Sequence, residues 1–404
     1  MHPVAIIAGL FLLALVLLDA FQTIILPRRP VGRFRITRLF FLLTWYPWTQ
    51  AARLLPSRRA REQMYSVYGP LALLMLFILW AMLLTSAYAL AYFGLNMPFA
   101  DPTHPATFLQ ILRSCWYVSG TTIFTLGLGD VQPVNQIARL LIVIEAGTGL
   151  GFVALVIGYV PVLYTAFSNR EISVALLDAR AGSPPSAGES LLRHSFNGGH
   201  DALTQLLSEW ERWAAGMLET HISYPILCYY RSQHDNQSWL SALTAILDTC
   251  ALLITTVEGP STRQAQLTFA IARHVLVDLG HVFHREQIEQ RYRENPPVRL
   301  PDEEFSRLCA ALGDAGFSLC ATPDTRSRLA NIRKLYEPHA LSMADYLHLD
   351  LPLWMPPANP SAKPDQWKTV AALRTPTAMA DRITLHISPR STASHLNDKD
   401  AHPL

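Results

Sequence analysis

Three stretches of the chain are almost free of polar side chains: Val4–Leu26, Leu71–Phe93 and Leu140–Phe167. At 1.5 Å per residue each is long enough, as a helix, to cross a hydrocarbon core of about 30 Å. Each contains at most one acidic residue, Asp19 in the first and Glu145 in the third. Between the second and third lies a shorter apolar stretch, Ala106–Phe124, with helical character and too short to cross and return. Beyond Ser168 the pattern changes. Apolar positions recur with helical period over 201–232, 239–257, 263–292, 302–314 and 326–346, and strand-like alternation is rare. Trp239–Val257 is apolar enough to raise the question of a further span. Asp248 at its centre and the threonines that dilute it favour a buried helix of a soluble bundle. The predicted class is an all-α membrane protein: three transmembrane helices, a re-entrant helix and a mainly helical cytoplasmic domain.

The charges orient these spans. The segment between the first two carries Arg28, Arg29, Arg33, Arg35, Arg38, Arg53, Arg58, Arg59 and Arg61, opposed by Glu62 alone. The segment between the second and third, Gly94–Gln136, has only Arg113 as a basic residue. The positive-inside rule puts the first in the cytoplasm and the second outside. The N-terminus is then expected outside and everything after Ser168 inside, in the plasma (inner) membrane. The start, Met-His-Pro, has no basic residue and the apolar run ends in Pro27-Arg28-Arg29, which reads as an uncleaved span rather than a signal peptide. Leu39–Leu55, apolar and aromatic inside the basic loop, is expected to lie as an interfacial helix, because a crossing there would send one arginine cluster outside. The boundaries that follow are 1–66 for the first span and basic segment, 67–170 for the pore domain, 171–189 for a linker, 190–351 for a helical cytoplasmic domain and 352–404 for a Pro-rich, disordered tail.

Composition narrows the function. Only 16% of the 404 residues are charged, against about 25% in an ordinary soluble domain, and the deficit sits in the first 170. A formal charge of +2, with no basic run that has interleaved aromatics, gives no reason to expect a nucleic-acid partner. The five cysteines, Cys115, Cys228, Cys250, Cys309 and Cys320, lack C-x-x-C spacing and read as free thiols, with no disulfide framework and no metal site. No nucleophile–base motif and no G-x-G-x-x-G after a strand appears, so neither an enzyme nor a Rossmann-type sensor is expected. His274, Asp278, His281 and His284 share one broad helix face. A metal or proton sensor is conceivable there, and a solvated or internally bonded face is the more common meaning of such a pattern.

The chemistry sits where the re-entrant stretch ends, in Thr125-Leu126-Gly127-Leu128-Gly129-Asp130 followed by Gln132-Pro133. A cation passing single-file must exchange its water for oxygens, and rings of backbone carbonyls supply them. Turning those carbonyls inward requires backbone angles that glycine adopts without steric cost, which accounts for Gly127 and Gly129. Span, short helix, T-x-G-x-G-D and span resemble the pore unit of the potassium channels, over roughly Gly69–Phe167. The resemblance implies potassium as the permeant ion, no cofactor and, with one pore loop per chain, a homotetramer among membrane lipids. It also implies that the Thr125 hydroxyl adds the innermost ring and that Asp130 concentrates cations and braces the filter. Leu128 stands where the family has an aromatic and Phe124 where a second threonine is common, and no arginine-repeat voltage sensor is present. Some two-pore-domain potassium channels carry similar G-L-G filters. A non-selective cation channel is one alternative, and a non-conducting, membrane-anchored signalling protein another.

Two further features of the spans await assignment. Gly149 falls 22 residues after Gly127, where many potassium channels have the glycine hinge of the inner helix, and Pro161 would kink that helix further in. Gly147 and Gly151 also form a G-x-x-x-G, so close helix packing explains the glycines equally well. Asp19 and Glu145, costly in lipid, are expected to face partners: Asp19 a cytoplasmic arginine, Glu145 a structural partner or the filter. The sequence names no ligand for the cytoplasmic helices.

Overall fold

The computed structural model describes residues 2–26, 35–96, 99–102, 107–196, 199–232, 237–320 and 324–355. Arg28, Arg29, Arg33, Ala106 and the expected tail from residue 356 onward lie outside them. The chain divides into two units, 1–168 with 220–231, and 169–219 with 232–404. It is an all-α membrane protein with a helical C-terminal region.

The first unit contains the three apolar helices. α1 (Pro3–Ala20) starts on a proline, which loses nothing at a helix N-terminus, and ends in a π-helical turn at Phe21–Ile25. α2 (Ile36–Arg53) is the helix expected at Leu39–Leu55. Trp45 and Phe40 are buried on one side, while Leu39, Leu43 and Tyr46 stay exposed on the other. α3 (Arg58–Gly94) begins well before the predicted apolar run, at a cap in which the Ala60 amide donates to Ser57 Oγ at 3.3 Å. α4 (Phe108–Ile123) is the short re-entrant stretch, and α5 (Gln136–Ala181) contains the third apolar run. A two-residue antiparallel pair, β1 (Phe99–Ala100) with β2 (Gln132–Pro133), ties the two ends of the outer segment together.

Residues 220–231 belong to this first unit although the chain on both sides of them belongs to the second. They contain the end of α7 (Gly199–Ser223) and a 3-10 turn, Pro225–Tyr229. Tyr229 is buried against the rings of Phe41, Trp45 and Tyr68, with centroids 5.0–5.3 Å away. Tyr224 meets Tyr159 at 5.5 Å and Tyr230 meets Phe167 at 5.7 Å, both on α5. The Arg231 guanidinium lies 5.0 Å over the Tyr65 ring, with Nη1 3.9 Å from Glu62. The segment is therefore an aromatic strap joining α2, α3 and α5.

The second unit is mainly helical among its described residues. The stretch expected as a linker, 171–189, is mostly helix instead. α5 runs on to Ala181 because Val174, Leu177 and Ala181 are buried along one face, and α6 starts at Ala187 (Ala187–Arg193). The Gly182–Pro185 punctuation marks only the break between the two helices. At the core stands α8 (Trp239–Thr255), in which every residue but Ile254 is buried. It is a core helix because α9 (Thr262–Val282) and α12 (Thr325–Arg333) cover it. α10 (Glu286–Glu294), α11 (Asp302–Asp314) and α13 (Glu337–Leu347) complete the unit.

Asp248, fully buried on α8, is the charge this core must accommodate. Arg299 donates to both of its oxygens, at 3.3 and 2.8 Å, and Tyr336 donates its hydroxyl proton. Arg299 also reaches Glu337 at 2.8 Å, which Arg333 binds at 2.9 Å. Burial by itself would lower the Arg299 pKa, but the charge and hydrogen bonds of Asp248, with Glu337 behind, raise it above its usual value. Burial pushes Glu337 upward against the pull of the two arginines. Breaking such a pair strands a charge, at a cost of about 3–5 kcal/mol. Arg299→Met should lower the denaturant midpoint of the detergent-solubilised protein accordingly, and adding Asp248→Asn should restore much of the loss. In the first unit, Tyr229→Ala should cost about 3–5 kcal/mol by emptying the space between three rings, measured in the same unfolding experiment.

Candidate functional site

α4 is fixed at both ends. At its start Thr107 and Gln110 form a reciprocal cap, the Gln110 amide donating to Thr107 Oγ1 at 3.4 Å and the Thr107 amide to Gln110 Oε1 at 3.0 Å. Its body packs on α3 through the fully buried Cys115 and Ser119. At its end the chain turns out of the helix, and the amides that follow fold back onto it. The Thr125 amide donates to the Thr122 carbonyl at 3.0 Å, while those of Leu126 and Gly127 donate to the Thr121 carbonyl at 2.7 and 3.3 Å. The last turn of α4 thereby takes up the donors of the first half of the loop.

The loop backbone alternates. Thr125, Gly127 and Gly129 have φ of +56°, +54° and +75°, while Leu126 and Leu128 between them do not enter the positive range. In an ordinary strand successive carbonyls point to opposite sides. A left-handed residue at every second position is the alternation that can turn them to one side. The two glycines adopt it freely, whereas Thr125 is held there under strain. Leu126 and Leu128 are 64% and 62% exposed within the single chain. At the far end Tyr117 of α4 donates to Asp130 Oδ2 at 2.8 Å, and Gln132 Nε2 donates to the Gly129 carbonyl at 3.0 Å. Asp130 is thus held from the α4 side of the loop. Sequence reasoning did not single out Tyr117, because nothing in the sequence ties it to a carboxylate 13 residues away.

The two intramembrane acids both sit among polar partners. Asp19 Oδ2 accepts from the Thr37 amide at 3.1 Å, the Thr37 hydroxyl at 2.6 Å and Trp80 Nε1 at 3.0 Å, joining α1 to α2 and α3. Arg35 Nε lies 3.8 Å from its other oxygen, so the expected cytoplasmic arginine is present at the edge of a larger network. Glu145 is fully buried and bonded to Ser119 of α4 and Tyr92 of α3. One turn on, Tyr88 reaches Thr148 Oγ1 at 2.9 Å.

Gly149 lies against the end of α4. A Cβ there would overlap the carbonyl group of Ile123, so this glycine serves a close helix approach. A Cβ at Gly147 or Gly151 would meet nothing within 4 Å in the chain, and Pro161 is exposed inside an α5 that continues past it to Ala181. Of the strongest apolar window of α5 only 11% is buried by its own chain, against 50% for α3. The histidine face does not converge on a metal. His274 Nε2 pairs with Asp278 Oδ2 at 3.0 Å, and among the described residues no group of three or more His, Cys, Asp or Glu is placed to hold an ion.

Comparison with known proteins agrees with this geometry at a coarser level. Residues 73–165, which run from α3 through the loop into α5, match a family model described as "Ion channel". The chain is also similar to a protein of Bacillus subtilis (strain 168) named "Uncharacterized membrane protein YdjJ", at 27% identity over 248 residues, covering 60% of this chain and 67% of that one. That alignment is longer than the ion-channel match, so the similarity extends beyond the pore segment. No solved structure matches. The chain is a multi-pass membrane protein in which residues 73–165 match an ion-channel family model.

The glycine geometry is directly testable. Gly149→Ala should destabilise the solubilised protein by about 1–3 kcal/mol, because the two helices must separate at Ile123. Gly147→Ala, which meets no atom of its own chain, should be neutral or gain up to about 1 kcal/mol of helix propensity. Thermal unfolding of the two variants side by side reads the difference.

Proposed function

We propose that the chain forms a potassium-selective or potassium-preferring channel. Four copies surround one pore and conduct passively through the carbonyls of Thr125, Leu126, Gly127, Leu128 and Gly129, with Asp130 at the outer mouth. The observation that carries this reading is the left-handed φ at every second residue of that loop. Such a backbone offers a row of oxygens to a dehydrated cation, and irregular backbone at membrane depth persists only where it lines protein or an ion path. Four-fold assembly follows from one loop per chain. It also gives a partner to an inner helix that its own chain leaves largely uncovered and to the exposed Leu126 and Leu128. Potassium is the permeant ion and no cofactor takes part. The arginine-rich segment holds the intervening loop in the cytoplasm, with the N-terminus outside and the second unit inside.

One observation favours a less selective pore. Leu128 is 62% exposed, and its side chain has no hydrogen bond with which to hold the loop at a fixed diameter. Tyr117 on Asp130 supplies a bond of that kind one position on from Gly129.

The reversal potential of the purified protein in planar bilayers, with potassium on one side and sodium on the other, separates these readings. A value near the potassium equilibrium potential, abolished in Gly127→Ala, is the expected result. A value near zero would assign a non-selective cation pore. No current at any voltage or pH would shift the function to the second unit as a membrane-anchored signalling or binding domain.

A further inference from the structure

Glu145 is the one fully buried acid in the pore segment, and its neighbours allow its protons to be counted. The Ser119 hydroxyl lies 2.9 Å from the Thr85 carbonyl oxygen and within bonding distance of Glu145 Oε1. The Tyr92 hydroxyl is bonded to Glu145 Oε2. A hydroxyl has one proton to give, a backbone carbonyl only accepts, and an ionised carboxylate only accepts. With Glu145 ionised, the single Ser119 proton serves one of two acceptors, and the other oxygen is pressed against a lone pair. With Glu145 as the neutral acid every contact carries a proton. Glu145 donates to Ser119, Ser119 to Thr85, and Tyr92 to the remaining Glu145 oxygen.

The surroundings agree. Among the described residues no Lys, Arg or His lies within ion-pair distance of Glu145. The titratable side chains that act on this cluster are Tyr88 and Tyr92 of α3 and Cys115 of α4, all neutral in their ordinary state at pH 7. A carboxylate without a counter-charge at this depth would cost several kcal/mol.

We propose that Glu145 is a protonated, neutral carboxylic acid that pins the pore helix to the inner and outer helices and thereby sets the geometry of the filter. It is a positioning residue. Ser119 precedes by two residues the Thr121 carbonyl that holds the amides of Leu126 and Gly127. One turn further along α5, Gly149 seats the Ile123 carbonyl. The last turn of α4 is therefore clamped along its length by one short stretch of α5, residues 145–149. A neutral acid does this without placing a charge behind a cation path, so its effect on permeation is one of shape. The effect on permeation rests on the channel reading above, while the protonation state does not.

The test uses the full-length protein reconstituted in lipid. Infrared difference spectra of wild type against Glu145→Gln at neutral pH should show the C=O stretch of a protonated carboxylic acid, absent in the variant. A difference dominated by carboxylate stretches overturns the assignment. In bilayers Glu145→Gln, which can donate to Ser119 and accept from Tyr92, should keep the wild-type reversal potential. Glu145→Ala should move it toward zero, and Ser119→Ala, which breaks only the link to the pore helix, should move it in the same direction. A glutamine variant as altered as the alanine variant overturns the neutral-acid role, and wild-type selectivity in both alanine variants overturns the positioning role. If the wild type passes no current, the channel reading fails on its own, and the infrared band still decides whether Glu145 carries its proton.

Discussion

Backbone that is neither helix nor barrel can lie at membrane depth only if its amides and carbonyls find partners other than lipid. In the channel proposed here that constraint falls on the few residues after Ile123. Their first amides are taken by the carbonyls of Thr121 and Thr122, at the frayed end of a helix that would otherwise leave those acceptors unpaired. The carbonyls of Thr125 through Leu128 are what remains, that of Gly129 accepting from Gln132. The rest of the first unit holds that exchange in place: a capped helix start, a helix body buried on α3, a glycine that admits the helix end and a hydroxyl on Asp130 at the far side.

The parts that lipid dictates were legible in the sequence. The long apolar runs mark three helices, and the shorter run between the second and third a fourth, because water-free surroundings leave few other arrangements. The helical second unit was legible from periodicity, and Asp248 was enough to mark α8 as a core helix rather than a span. What could not be read was which distant residues meet. The partners of Glu145 lie 26 and 53 positions away on two other helices, and a lone serine or tyrosine in an apolar run gives no sign of them. The expected linker began too early for a related reason. Gly182–Pro185 is a strong stop signal, but the buried face at Val174, Leu177 and Ala181 repeats too briefly for sequence alone to separate it from the span before it.

The buried charges in the two units are resolved by different chemistry. Asp248 in the second unit is matched by a full guanidinium and a tyrosine hydroxyl, so both of its oxygens accept hydrogen bonds. Asp19 lies near enough to the arginine-rich segment to have Arg35 at the edge of its network. Glu145 has hydroxyl groups around it and, among the described residues, no cation within ion-pair distance. The three acids are alike in burial and differ in the partners that their depth makes available.

The aromatic strap has a consequence for how this protein can be divided. Its residues, 220–231, complete the first unit, yet they are encoded between two parts of the second. No contiguous cut of the chain yields the first unit whole without part of the second. A gene fragment ending near Ser168 would carry all three apolar runs and the Thr125–Asp130 loop and still leave Phe41, Trp45 and Tyr68 without the ring that fills the space among them. The ion-channel family match is recognised from residues 73–165 alone, but the packing of those helices is inherited with the helices that follow. Recombination that exchanged the C-terminal region for another would have to supply a strap of its own.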